Sequence, residues 1–126
     1  MPYVFYNPNP KNARVGDCVI RAISKAVGLD WSDAYIGLAS EGLALRDLPS
    51  ANIVWGMYLR KFGFEEHMIS SICPNCVSVK EFARKHPKGR YVLATQNHVV
   101  AVIDGDYYDT WDSGDEIVLY FYAKEI

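Results

Sequence analysis

A chain of 126 residues, half of them hydrophobic and 22% charged, has enough apolar material for one core and too little length for an accessory domain, so residues 1–126 read as a single domain. Its net charge of −2 gives no cationic surface for a nucleic acid, and no apolar run is long enough to span a bilayer. The N-terminus, Met1-Pro2-Tyr3-Val4-Phe5-Tyr6, has neither a basic start nor a long apolar stretch, and the expectation is a soluble cytoplasmic protein.

In chain order, Tyr6-Asn7-Pro8-Asn9-Pro10 is an extended, turn-rich entry, because each proline biases its predecessor away from helix. It leads Asn12 past the mouth of the first helix. That helix is signalled by Asp17 as a cap, by Val19, Ile20, Ala22, Ile23, Ala26 and Val27 as an apolar stripe, and by Gly28 as a stop. Arg21, Ser24 and Lys25 fall on its opposite side. Cys18 sits at its first turn, where the partial positive charge of a helix start lowers a thiol pKa; the competing reading is a small core residue.

A second helix is expected from Trp31 to about Ala44, capped by Asp30, with Ala34, Tyr35, Leu38 and Ala39 inward and Gly37 and Gly42 counting against it. Ser50 is the expected cap of a third helix running through Phe62, whose stripe is Val54, Trp55, Tyr58, Leu59 and Phe62, with Gly63 as its end. Phe64 to Ser70 reads as a short strand. Ser78 and Glu81 form a capping box for a fourth helix that buries Val79, Phe82 and Ala83 and closes at His86-Pro87-Lys88-Gly89. Strands follow at Tyr91–Thr95, His98–Ile103, Tyr107–Trp111 and Ile117–Ala123. Helices first and an antiparallel sheet afterwards make an α+β domain.

The pair Asp104-Gly105 between two strand patterns favours a two-residue type I′ turn. Ile103 then pairs with Asp106, Val100 with Asp109 and His98 with Trp111, so His98 and Asp109 become diagonal neighbours on one face. A three-residue turn would put Asp112 opposite His98 instead. Cys18, His98 and Asp109 together supply a nucleophile, a base and a group to orient the base.

This pattern resembles the papain-like cysteine peptidases. Their nucleophile opens a buried helix, their histidine lies on a strand, and their third residue is an Asn or Asp often followed two places later by Trp, as in Asp109-Thr110-Trp111. The Asp17-Cys18 pair and the short chain look more like the bacteriocin-processing, C39-like branch, and the whole is similar to small phage and prophage proteins. The resemblance implies a papain-like fold, cleavage of a peptide or protein substrate, and no cofactor or metal. A Gln six positions before the cysteine completes the family's oxyanion hole; the matching residue is Asn12, which keeps the amide but is one methylene shorter. Amidase, deamidase and transglutaminase-like chemistry use the same three groups. A catalytically silent binding protein that acts on a host factor is the alternative from another class.

Cys73-Pro74-Asn75-Cys76 reads as a packed or loop cysteine pair, ahead of a redox dithiol and of half a zinc site, and it is not required for the chemistry. The odd cysteine count argues against a disulfide framework. His67 and His86 have surface explanations, and Gln96 and Asn97 read as turn residues, with the cleft as the other option for either of them.

Overall fold

The computed structural model describes residues 2–124; Met1, Glu125 and Ile126 lie outside them. The elements are β1 (Tyr3–Phe5), α1 (Cys18–Ile23), α2 (Trp31–Leu45), α3 (Asn52–Arg60), β2 (Phe64–Met68), α4 (Val79–Lys85), β3 (Arg90–Thr95), β4 (His98–Ile103), β5 (Asp106–Asp109) and β6 (Tyr120–Lys124). The strands form one six-stranded sheet in the order β1-β5-β4-β3-β6-β2. The domain is α+β. Among the described residues, no helix is long and apolar enough to cross a membrane.

The centre of the sheet follows from β4, which is apolar at every position after His98 and is therefore covered on both sides. Val99, Ala101 and Ile103 pack with Val19, Ala22, Ile23, Ala34, Leu38, Trp55 and Leu59 of the first three helices. Val100 and Val102 pack on the other side, against Val79, Phe82 and Ala83 of α4. The result is three layers: helices α1 to α3, the sheet, and α4 alone. Full burial of each such aliphatic side chain contributes on the order of 2 kcal/mol, so the strand that begins with His98 is the best anchored in the molecule.

Several expectations need correction. The sheet is mixed, because β1 adds in parallel to the edge of β5 with Tyr3 opposite Tyr107 and Phe5 opposite Asp109. A strand therefore precedes the first helix, and β2 lies between α3 and α4. The first helix keeps α geometry only to Ile23 and continues as a wider π-helical turn over Ser24–Gly28, where the Leu29 N–H reaches the Ser24 carbonyl at 3.1 Å. Arg21 and Ser24 are buried, not solvated, and Tyr35 is exposed and stacked on Trp31. Asp17 stands at the cap position of α1 without a side-chain cap bond, and α3 is preceded by Ala51 in place of Ser50. β5 stops at Asp109, where the side chain of that residue takes the Thr110 N–H and turns the chain. Ile117 bridges Ser78 and the Val118 N–H bonds the Val77 carbonyl, so β6 begins only at Tyr120.

Cys73 and Cys76, read as a packed or loop pair, lie between β2 and α4 and are joined in a disulfide, their Cα atoms brought to 4.5 Å by the Pro74-Asn75 turn. His86 is half-buried, with its ring 3.8 Å from Phe82, and His67 stacks on Phe121.

Gly37 and Gly42 do not interrupt α2, and contacts explain why both are glycine. A Cβ at Gly37 would meet the Tyr58 phenol; one at Gly42 would lie 2.7 Å from the Asp47 carbonyl oxygen and 3.2 Å from the Pro49 nitrogen. The chain reverses over Gly42 through Arg46 in the left-handed conformation, with the Asp47 N–H on the Gly42 carbonyl at 2.9 Å. That reversal brings Ser50 and Asn52 back toward α1. Gly42→Ala should therefore lower stability by about 1–3 kcal/mol in urea unfolding, although alanine has a helix propensity about 1 kcal/mol better. A more stable Gly42→Ala protein would show that the close approach does not constrain this position.

Candidate active site

Cys18 is the first residue of α1, His98 the first of β4 and Asp109 the last of β5. Because β4 and β5 are antiparallel, the start of one and the finish of the other lie at the same end of the sheet. Asp104 and Gly105 both have positive φ, 48° and 87°, as a type I′ turn requires, and Ile103 pairs with Asp106, Val102 with Tyr107 and Ala101 with Tyr108. The expected register is observed from Ile103 to Ala101; the expected pairs of Val100 with Asp109 and His98 with Trp111 are not part of the ladder. Asp112 is instead engaged by the Tyr107 hydroxyl and the Gly114 N–H.

The Asp109 carboxylate, fully buried, accepts four hydrogen bonds. Oδ2 receives His98 Nε2 at 2.6 Å and Ser113 Oγ at 2.6 Å; Oδ1 receives Arg21 Nη2 at 2.9 Å and the Thr110 N–H at 2.8 Å. Four donors fill the capacity of an ionised carboxylate and leave little for a protonated one. Burial alone would raise its pKa, but the bonds from His98 and Ser113, with the charges of His98 and Arg21, hold it below the ordinary aspartate value.

Arg21 carries the network back into α1. Its Nη1 lies 2.7 Å from Asp17 Oδ1, and Asp17 Oδ2 accepts the Trp31 indole N–H at 2.9 Å. Asp17 thus serves as a buried counter-ion one turn before Arg21. The helix that presents the cysteine and the strand that presents the carboxylate are tied by one guanidinium. Trp111, although partly exposed, covers the imidazole with its ring 5.0 Å away.

With Nε2 committed to Asp109, Nδ1 is the imidazole nitrogen left to serve the Cys18 sulfur, which lines the same cavity as His98. Burial pushes the His98 pKa down, but the hydrogen bonds to Asp109 and Cys18 and the charges of both outweigh it and lift the value to about 9. Burial likewise raises the Cys18 pKa. The His98 hydrogen bond and charge, the Val99 N–H and the charge of Arg21 outweigh this and bring it below the ordinary thiol value. The two shifts run in the directions that favour a thiolate–imidazolium pair.

The signs give a pH window for stability. His98, with its folded pKa above its free value of 6.5, contributes stability that is complete below 6.5 and is lost as pH rises through about 9. Asp109, with its folded value below 3.8, contributes stability that is complete above 3.8 and is lost as pH falls through its folded value.

A cavity of about 340 Å³ opens beside the sulfur, lined in part by Cys18, His98, Ser50, Asn52, Asn97 and Tyr120. Asn97, in the turn between β3 and β4 with φ 60°, is thus both a turn residue and a cleft residue. Asn12 is exposed, takes φ 55° in a turn that bonds back to the Asn9 carbonyl, and does not line this cavity. Among the described residues, no group of three or more His, Cys, Asp and Glu side chains is placed to hold a metal ion.

Arg21, Ser113 and Asn52 were not anticipated as site residues. The Asp17–Arg21 spacing of four was the available signal for the first; the other two depend on the turn after β5 and on the return of the chain after α2, which no local pattern encodes. Comparison with known proteins finds no matching family model, curated protein or solved structure.

Arg21→Met keeps most of the side-chain volume while leaving two buried carboxylates without their cation. Urea unfolding should show a loss of about 3–5 kcal/mol. A loss under 1 kcal/mol would mean that the guanidinium does not hold the two aspartates.

Proposed function

We propose that this protein is a cytoplasmic thiol acyl hydrolase of papain-like fold that cleaves peptide bonds in a peptide or protein substrate. The observation that carries the reading is the buried Asp109 carboxylate 2.6 Å from His98 Nε2, with Cys18 beside His98 in the lining of one cavity. Helices packed on one side of a sheet, with the nucleophile opening the first of them, support the finer assignment of fold.

In this reading the Cys18 thiolate attacks the carbonyl carbon and forms a tetrahedral intermediate, with the Cys18 N–H donating to its oxygen. His98 gives its Nδ1 proton to the leaving nitrogen as the C–N bond breaks, which leaves a thioester on Cys18 and a neutral imidazole. That imidazole then takes a proton from water; the hydroxide adds to the thioester carbon, and the thiol leaves as thiolate while the imidazolium is restored. Asp109 holds the ring orientation and balances its charge without taking the proton.

The disulfide leaves Cys18 as the free thiol, so alkylation reports on it directly. Thiolate population changes about tenfold per pKa unit below the pKa, so iodoacetamide at pH 6 should modify the parent at least about tenfold faster than His98→Ala. The advantage should close toward pH 10, where the imidazolium is gone and the thiolate forms unaided. A peptide library incubated with the parent should yield cleavage products by mass spectrometry that Cys18→Ala does not produce. Equal alkylation of parent and His98→Ala at pH 6, or products that persist in Cys18→Ala, would overturn the reading.

A further inference from the structure

The cavity at Cys18 has two amide side chains in its lining, Asn52 and Asn97, and they come from different segments of the chain. Asn97 is the neighbour of His98, on the side where the imidazole delivers its proton to the leaving group. Asn52 is the first residue of α3, and the segment leading into it, Pro49 and Ser50, lies against Gly16, Asp17 and Val19 around the start of α1. The oxygen of an attacked carbonyl and its leaving group are different substituents of the same carbon. A donor on the cysteine's side of the cleft is therefore the one suited to the oxygen.

The orientation of the Asn52 amide is fixed by chemistry. Its Oδ1 lies 3.0 Å from the indole Nε1 of Trp55, and an indole N–H can only donate, so the oxygen faces Trp55 and the NH2 group points away from it. Trp55 is completely buried and stacked parallel to Tyr120, which itself lines the cavity. The acceptor end of Asn52 is held by a rigid ring, and the donor end is left available on a residue that borders the nucleophile. A residue that only satisfied the buried indole would serve equally well as aspartate.

We propose that the Asn52 side-chain amide is the second oxyanion donor of this site, working with the Cys18 N–H in the place that Asn12, which does not line the cavity, leaves open. Asn52 is then a catalytic residue that stabilises the tetrahedral oxygen. This assignment rests on Cys18 being the nucleophile, and the test separates the two claims.

Asn52→Asp keeps an oxygen for the Trp55 indole and suits the first turn of a helix, but it replaces the NH2 donor with an acceptor. N-Acetyl-leucinal forms a hemithioacetal with a cysteine, whose oxygen occupies the oxyanion position, whereas iodoacetamide alkylates sulfur without creating such an oxygen. At pH 8, Asn52→Asp should bind the aldehyde at least about tenfold more weakly than the parent, while its alkylation by iodoacetamide is still slowed further by adding His98→Ala. Equal aldehyde affinity in the two proteins, or no aldehyde binding to the parent, would overturn the Asn52 assignment alone. Failure of His98→Ala to slow alkylation of Cys18 at pH 6 would remove the nucleophile reading and this assignment with it.

Discussion

A carboxylate buried to the point of zero exposure is stable only if its charge is met, and Asp109 meets it with four donors from three places in the chain: Arg21 in α1, His98 in β4, and both Ser113 and the Thr110 N–H in the turn after β5. Removal of any donor leaves part of a charge unsolvated in a medium of low dielectric, so the three segments are held to one geometry. The arrangement of the candidate site follows from this constraint. Arg21 fixes where α1 begins relative to β5, and Cys18 is three residues before Arg21 on that helix.

The surrounding fold keeps that geometry rigid at little cost. β4 is anchored by apolar contacts on both faces, so His98 projects from a strand held by the core on either side. Trp111 limits water on one side of the imidazole, and the glycine at position 42 lets the chain double back so that α3 starts beside α1. Core packing and the charge network thus act on the same few segments, and those surroundings push Cys18 toward the thiolate and His98 toward the imidazolium.

The sequence was readable where the signal is local. The Asp104-Gly105 turn sets the hairpin register residue by residue and so placed Asp109 against His98 before any coordinates; Ser78 with Glu81, Asp30 and Gly28 marked helix ends that are observed. What stayed hidden is non-local. A three-residue strand such as β1 carries too little pattern to be distinguished from a loop, and its parallel pairing spans the whole chain. Arg21 looked like a solvent-facing residue because amphipathic periodicity assigns charge to the outside, and only its two buried partners reverse that. Asn12 fitted a spacing, but its left-handed turn leaves it exposed and off the cavity lining, which spacing alone does not reveal.

The central claim is that the buried Asp109 and the adjacent sulfur hold His98 as a cation. An NMR titration of the His98 ring, by its carbon and nitrogen shifts, tests it without any substrate. The account predicts a midpoint near 9, falling when Cys18 is replaced by alanine and the thiolate is lost. A midpoint at or below the free value of 6.5 in the parent would contradict it, because the imidazole would then be neutral beside an uncharged thiol.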